Sequence, residues 1–336
     1  MRRKQVTIKD IARELGVSHM TVSRALSPDP KTAALVTPKT RARIKKLAAD
    51  LGYTPNLIAR GFVTGRTNTL GLLTSKINCE PFGRQADKIL RAADWQGYQI
   101  LVALAASPSD APEDRRRQIH QMISRGVDGL LIHARGTEGE SELILQAVKG
   151  RVPVVTFFHP STPDLCGVAL DDGEGIFEAT SHLIRRGHER IGFIGTDCTH
   201  HGPGAAKARG YFRAMEMRGL APEHLPSPPP MQAAYELGKA VADRFTAFVC
   251  RSDHVAIGLC RGLQESGLRV PEDVAVVGCG DLDVSAYSTP ALTTLAIPYD
   301  QIAEAAMDLM LEQLQGDAAP RQVTLTHRLV VRDSCG

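Results

Sequence analysis

From residue 68 onward the chain alternates short apolar runs with segments of helical spacing, and nothing else in it constrains the fold as strongly. The runs Leu70–Thr74, Ile100–Leu104, Gly129–His133 and Val152–Thr156 are bounded, apolar and too short for ordinary helices, so they read as buried strands. Between them, residues 84–96, 114–125 and 140–149 carry apolar side chains at helical spacing. A second series repeats the pattern. It has strands Ile191–Gly195, Ala247–Cys250 and Ala275–Cys279, helices near 174–187, 204–219, 233–243 and 254–266, and a late helix at 300–315. Strands joined by helices cross over right-handedly and build a parallel sheet covered on both faces. The expected class is therefore α/β, with two doubly wound parallel subdomains inside residues 68–336. The N-lobe is expected at about 68–168 plus a late returning segment, and the C-lobe at about 169–290 plus the C-terminal elements. Such sheets bind ligands beyond the C-terminal ends of their strands, so the cleft between the lobes is the expected site.

The first 66 residues are different in kind. They carry 14 lysines and arginines against 4 acidic residues, a net charge of +10, whereas residues 67–336 carry −7. A basic head on a mildly acidic body suggests a polyanion partner for the head, because lysine and arginine release counterions condensed on phosphates. The head also has helix punctuation. Thr7 followed three residues later by Asp10 reads as a cap with an acid in the first turn, and Ile8, Ile11, Ala12 and Leu15 share one face. Gly16 permits the turn, Ser18 can cap a second helix burying Val22, Ala25 and Leu26, and Thr37-Pro38 opens a third burying Ile44, Leu47, Ala48 and Leu51. Three short amphipathic helices with a tight first turn make a helix-turn-helix over residues 1–54. This motif lays its second helix in the DNA major groove. Arg24 can then pair with guanine, His19 can donate or accept, and Met20 can pack on a thymine methyl.

The segments Thr7–Ala12, Gly16-Val17-Ser18, Thr21–Leu26 and Leu51–Asn56, with Ala59-Arg60, closely resemble the headpiece of the lactose/galactose repressor family of bacterial transcription regulators. The likeness continues through His182-Leu183-Ile184, Gly192–Gly195, Val270–Val274, Pro290–Thr294 and Leu329–Arg332, and so spans nearly the whole chain. It implies a homodimer on near-palindromic, double-stranded operator DNA, with His19, Met20 and Arg24 reading bases. Thr7, Ser18, Thr21, Ser23, Thr37, Tyr53 and Asn56 would position phosphates. Residues 55–67 would form a hinge helix and linker that folds on the operator, presenting Ala59 and Phe62 to the minor groove. Two departures stand out. The Pro28–Thr32 stretch makes the chain about four residues longer than the usual spacing, and Phe62 stands where the family has a wedging leucine. Phenylalanine is itself a wedge residue, so kinking can survive.

The resemblance extends to periplasmic sugar-binding proteins in the body, and it implies an effector in the interlobe cleft. By correspondence with family motifs the candidates are Phe82, which could stack on a sugar ring, and Asp171, Lys207, Asp253 and Asp281. Lys207 stands where the family usually has arginine, Ser252 where asparagine is usual, Gly280 where an aspartate commonly binds hydroxyls, and Phe158 at a polar position. Loss of carboxylates with retention of a cation favours a ligand carrying its own carboxylate. The Met20–Arg24 core, the lysine before Gly210-Tyr211 and Gly278–Asp281 look similar to the gluconate-repressor branch, so a repressor released by a sugar acid such as gluconate is expected, the alternative being a neutral sugar or nucleoside as effector, or a corepressed or activating regulator.

Other classes fit poorly. Gly202-Pro203-Gly204 with Lys207 has neither phosphate-loop nor dinucleotide spacing, and no Gly-x-Ser-x-Gly elbow occurs. Cys198 with His200-His201 lacks further metal ligands at useful spacing, and the seven scattered cysteines never form CxxC. Neither an enzyme, a cofactor nor a metal is expected. No apolar run approaches the roughly 20 residues of a membrane span, and the basic start leads into polar sequence instead of an export core, so a cytoplasmic location is expected and a free solute-binding protein is not.

Overall fold

The computed structural model describes residues 6–27, 30–54, 65–78, 80–105, 112–159, 162–195, 203–226, 231–241, 244–316 and 319–336. The expected hinge residues Asn56, Ala59 and Phe62, and the Cys198-His200-His201 group, lie outside them. The chain forms two compact units, Met1–Thr67 and Asn68–Gly336.

The first unit contains α1 (Ile8–Leu15), α2 (His19–Ala25), α3 (Pro30–Ala33) and α4 (Pro38–Asp50). Thr7 and Asp10 form a reciprocal capping box: Thr7 Oγ1 accepts from Asp10 N–H, and the Asp10 carboxylate accepts from Thr7 N–H at 3.0 Å. Gly16 ends α1 in the left-handed region at φ +65°, which turns the chain straight into α2. Ser18 and Thr37 cap α2 and α4 by accepting from Thr21 and Thr40 N–H. Ile11, Ala12, Val22, Ala25, Ile44 and Ala48 bury together as the core of the unit. The Arg41 Nε donates to the Ala25 carbonyl and ties α4 to the end of α2. From Pro30 the extra stretch starts the helical turn α3, which buries Ala33, and Val36 just beyond it joins the same core.

The second unit has two six-stranded sheets. In the first, β1 (Thr69–Thr74), β2 (Gln99–Leu104), β3 (Gly129–His133), β4 (Val154–Phe158), β5 (Cys166–Asp171) and β11 (Gln322–Thr326) are ordered β11-β5-β4-β3-β1-β2, all parallel. The second contains β6 (Ile191–Gly195), β7 (Glu223–Pro226), β8 (Ala247–Cys250), β9 (Ala275–Gly280), β10 (Thr293–Ala296) and β12 (Arg328–Val330), ordered β12-β10-β9-β8-β6-β7. Only β12 runs antiparallel there. The expected doubly wound α/β class holds for both lobes, whose strand orders match. Helices at the expected places cover both faces. The late helix Tyr299–Gln315 returns to the first sheet, where Ile302, Ala306 and Met310 bury with Leu70, Leu131 and Val155. The chain then adds β11 to the first sheet and, after the single residue His327, β12 to the second. No helix among the described residues is long and apolar enough to cross a membrane.

Candidate functional site

In the first unit the expected base-reading side chains share one open face. Val22 and Ala25 bury the inner side of α2, and the 3.6-residue period then leaves His19, Met20, Ser23 and Arg24 exposed, with Met20 at 51%. An unburied methionine on a seven-residue helix has no structural task, whereas a groove surface can use it. The candidate phosphate positions divide by role. The Thr7, Ser18, Thr21 and Thr37 hydroxyls engage one another or the helix starts, Ser23 is free on the surface, and Tyr53 packs half-buried against the core.

In the second unit a cavity of about 320 Å³ opens where the C-terminal ends of β3 and β4 face those of β8 and β9. Of the expected effector residues, Phe82, Lys207 and Asp253 line it. Asp171 and Asp281 do not, and this corrects the sequence reading. Asp171 turns outward to cap the helix Asp172–Arg185, accepting from Glu174 N–H at 2.9 Å. Asp281, at φ +52°, pairs with Arg332 at 2.7 Å. Asp253 reaches the wall but is fully buried. Its Oδ1 accepts from Thr294 Oγ1 at 2.5 Å, and its Oδ2 accepts from Leu282 N–H at 2.9 Å and Ser285 Oγ at 2.7 Å. It therefore pins the loop after β9 to the start of the helix Asp253–Glu265. Gly278 makes room for it, since a Cβ there would lie 2.2 Å from Asp253 Oδ1.

Lys207 is also placed differently from the expectation of a free cation. Its Nζ lies 3.4 Å from Asp172 Oδ1, donates to the Arg251 carbonyl at 3.1 Å and approaches Cys279 Sγ at 3.6 Å. Burial alone would lower the lysine pKa, but Asp172 and the Cys279 sulfur outweigh it and hold the ammonium above its ordinary value. The pairing follows from helix geometry. The helix Pro203–Glu216 crosses Asp172–Arg185 at Gly210 and Gly173, where any side chain on Gly210 would strike the Gly173 carbonyl. Lys207 stands one turn before Gly210 and so comes down on Asp172.

Residues that sequence reasoning missed make up much of the wall: Glu80, His133, His159, Asp172 and Arg251. His133 ends the Gly129–His133 run and Arg251 follows the Ala247–Cys250 run, so the rule that ligands sit beyond strand ends could have found both. Asp172 was missed by one residue, because only the helix register decides which neighbouring carboxylate faces inward. The His133 ring centroid lies 5.0 Å from that of Phe82 and 5.1 Å from that of Phe158. Phe158 holds φ +85°, a strained conformation for a bulky side chain of the sort that gathers at ligand sites. Among the described residues no group of three or more His, Cys, Asp or Glu could hold a metal ion.

Comparison with known proteins places these features. Residues 7–56 match the family model for bacterial regulatory proteins of the lacI family, and residues 180–335 match a periplasmic binding protein-like domain. The HTH-type transcriptional regulator GalR of Salmonella typhimurium is 31% identical over 332 residues, which are 95% of this chain and 92% of that protein. The chain belongs to the lacI family. It is a DNA-binding transcriptional regulator. Catabolite control protein A of Priestia megaterium is 29% identical over 98% of this chain and 99% of its own length. The crystal structure of the Lac repressor dimer bound to operator and the anti-inducer ONPF superposes with a TM-score of 0.89 over 99% of both chains, at 24% identity. The lacI-family fold thus covers both units of the chain.

Proposed function

We propose that this lacI-family regulator is a homodimeric repressor of a carbohydrate or sugar-acid catabolic operon, released from its operator when a small effector occupies the interlobe cavity. The observation that carries this reading is the joint presence, in one chain, of an exposed groove-reading face on α2 and a polar, ligand-sized cavity at the strand ends. In this reading His19, Met20 and Arg24 read base edges, and Ser23, Tyr53 and Asn56 add phosphate contacts to those near the capped helix starts. Ala59 and Phe62 act at the operator centre, with Phe62 as the wedge. The Lac repressor described above, a dimer on operator DNA, supports the dimeric arrangement.

In the cavity, Phe82 offers a ring face, while Asp253 and Lys207 brace the wall. The volume lies at the small end of the ~300–1,000 Å³ typical of small-molecule sites and suits a compact effector. Ligand closure of the lobes would shift the N-lobes of a dimer and part the hinge helices, lowering DNA affinity by a coupling of ~1–3 kcal/mol. Fluorescence anisotropy on a labelled duplex from the upstream region of its own gene, titrated with gluconate and related aldonates at fixed salt, tests the whole scheme. Loss of binding on adding an aldonate is expected. Tight binding that no aldonate disturbs would remove the effector assignment, and absence of specific binding would remove the operator.

A further inference from the structure

The cavity walls leave three buried polar groups without partners. His133, at the end of β3, is only 3% exposed, and neither its Nδ1 nor its Nε2 has a hydrogen-bond partner. Burial, then the neighbouring His159 and Arg115, holds its pKa well below the ordinary histidine value. The ring is therefore neutral, with one donor and one acceptor to offer. Phe82, Phe157 and Phe158 surround it and can satisfy neither. Glu80 pairs through Oε1 with Arg84 at 3.2 Å, while its Oε2 is buried and unpartnered. An orphaned buried polar atom costs ~1–3 kcal/mol, so two such residues in one small cavity mark positions that an occupant completes.

The opposite wall supplies the charge. Arg251 follows β8 with its backbone fixed at both ends: its N–H donates to Ile194 O at 2.8 Å and its carbonyl accepts from Lys207 at 3.1 Å. Its side-chain Nε is buried without a partner, and its guanidinium makes no ion pair among the described residues. Burial pulls its pKa down, as expected for a cation short of a counter-charge. Beside it, Ser252 begins the 13-residue helix Asp253–Glu265 without a side-chain cap, so the positive helix end adds to the same wall. Lys207, the other cation, is already spent on Asp172.

Resting on the effector reading above, we propose that the cavity takes a small polyhydroxy monocarboxylate, with its carboxylate on Arg251 of the C-lobe and its hydroxyls read by His133 and Glu80 of the N-lobe. Lys207 holds Asp172 in place and does not touch the anion. A neutral sugar would leave Arg251 uncompensated. A carboxylate without hydroxyls would leave His133 and Glu80 orphaned, and a second negative charge on the ligand would meet the Glu80 carboxylate. Because the two ligand ends are held by different lobes, occupation itself draws the lobes together.

Isothermal titration calorimetry of the full chain with gluconate, and with glucose as an uncharged counterpart, tests the assignment. Wild type is expected to prefer gluconate. Arg251→Gln should weaken gluconate about 10- to 100-fold and leave glucose unchanged, since a hydrogen-bonded charge pair carries that much. His133→Phe should weaken both compounds, because the hydroxyl contact is common to them. Operator affinity of each variant without ligand, from anisotropy, shows whether the fold is intact. If Arg251→Gln binds gluconate as wild type does while Lys207→Met abolishes it, Lys207 is the receptor and the assignment is overturned. If wild type prefers glucose or binds neither compound, both the assignment and the sugar-acid reading fall, while operator binding continues to support the DNA regulator.

Discussion

His327 is the only residue between β11 and β12, and it enters the protein at the crossing between the lobes. Its Nε2 lies 3.6 Å from Asp172 Oδ1 and 3.8 Å from Cys279 Sγ. Burial, with the Lys207 ammonium adding to it, pulls its pKa down to about 4 even though Asp172 acts the other way. The folded protein thus binds its proton later than the unfolded chain, whose value is near 6.5. Stability is unaffected above that pH and falls as pH drops from about 6.5 through about 4, by up to ~3 kcal/mol. His133 and His159, both lowered first by burial, push in the same direction. Thermal melts at pH 7 and pH 5 should show the loss, and His327→Asn should flatten it; equal slopes would exclude His327 as its source. At the same scale, Arg24→Ala should cost ~1–3 kcal/mol on the operator and relax base preference. An equal loss on operator and scrambled duplex would mean that Arg24 meets only phosphate.

Among the elements, the crossing of the helices Pro203–Glu216 and Asp172–Arg185 decides what the cavity holds. Gly210 permits the close approach and Lys207 is delivered by it. Gly210→Ala would place a Cβ 2.0 Å from the Gly173 carbonyl oxygen, and backbone cannot yield as a side-chain tip can. A stability loss of at least ~1–3 kcal/mol is expected in denaturant unfolding, together with weaker effector binding as Lys207 and Asp172 separate. Unchanged stability would show that the two helices slide apart freely. The helices and strands themselves were largely readable: each expected strand run overlaps a strand, with Val152–Thr156 displaced by two residues from the observed Val154–Phe158, and helices lie near the expected positions. The short strands β5, β7, β10, β11 and β12 were not anticipated. Gln322–Thr326 alternates exposure along an edge, and Glu223–Pro226 is polar, so neither makes an apolar run.

Within the body, residues 68–336, a side-chain contact ties the lobes directly. Arg84, on the helix Phe82–Trp95 of the N-lobe, donates to the Asp281 carbonyl at 3.0 Å and to Asp283 Oδ1 at 2.5 Å in the C-lobe. Asp283 is largely exposed, so water and salt weaken the pair and its worth is modest. Arg84→Met should therefore loosen closure and weaken effector binding by no more than about fivefold, with the difference shrinking at high salt. Titration calorimetry at low and high salt checks this; a stronger affinity in the variant would mean that the tie opposes closure.

The class of the protein is written in local features of the chain. Periodicity specifies the alternating strands and helices, because burial on a 3.6- or 2-residue period is a local property. The charge of the head, its cap residues and the outward face of α2 specify a DNA-reading unit in the same local way. Which side chains share the cavity is settled by folding. Asp171 and Asp172 are adjacent in sequence, yet the helix register turns one to solvent and the other to Lys207. Asp281 is drawn away by Arg332, 51 residues further on, and His133 and Arg251 line one cavity from two different sheets. Whether a polar atom is satisfied depends on partners distant in sequence, and those distances close only when the chain has folded.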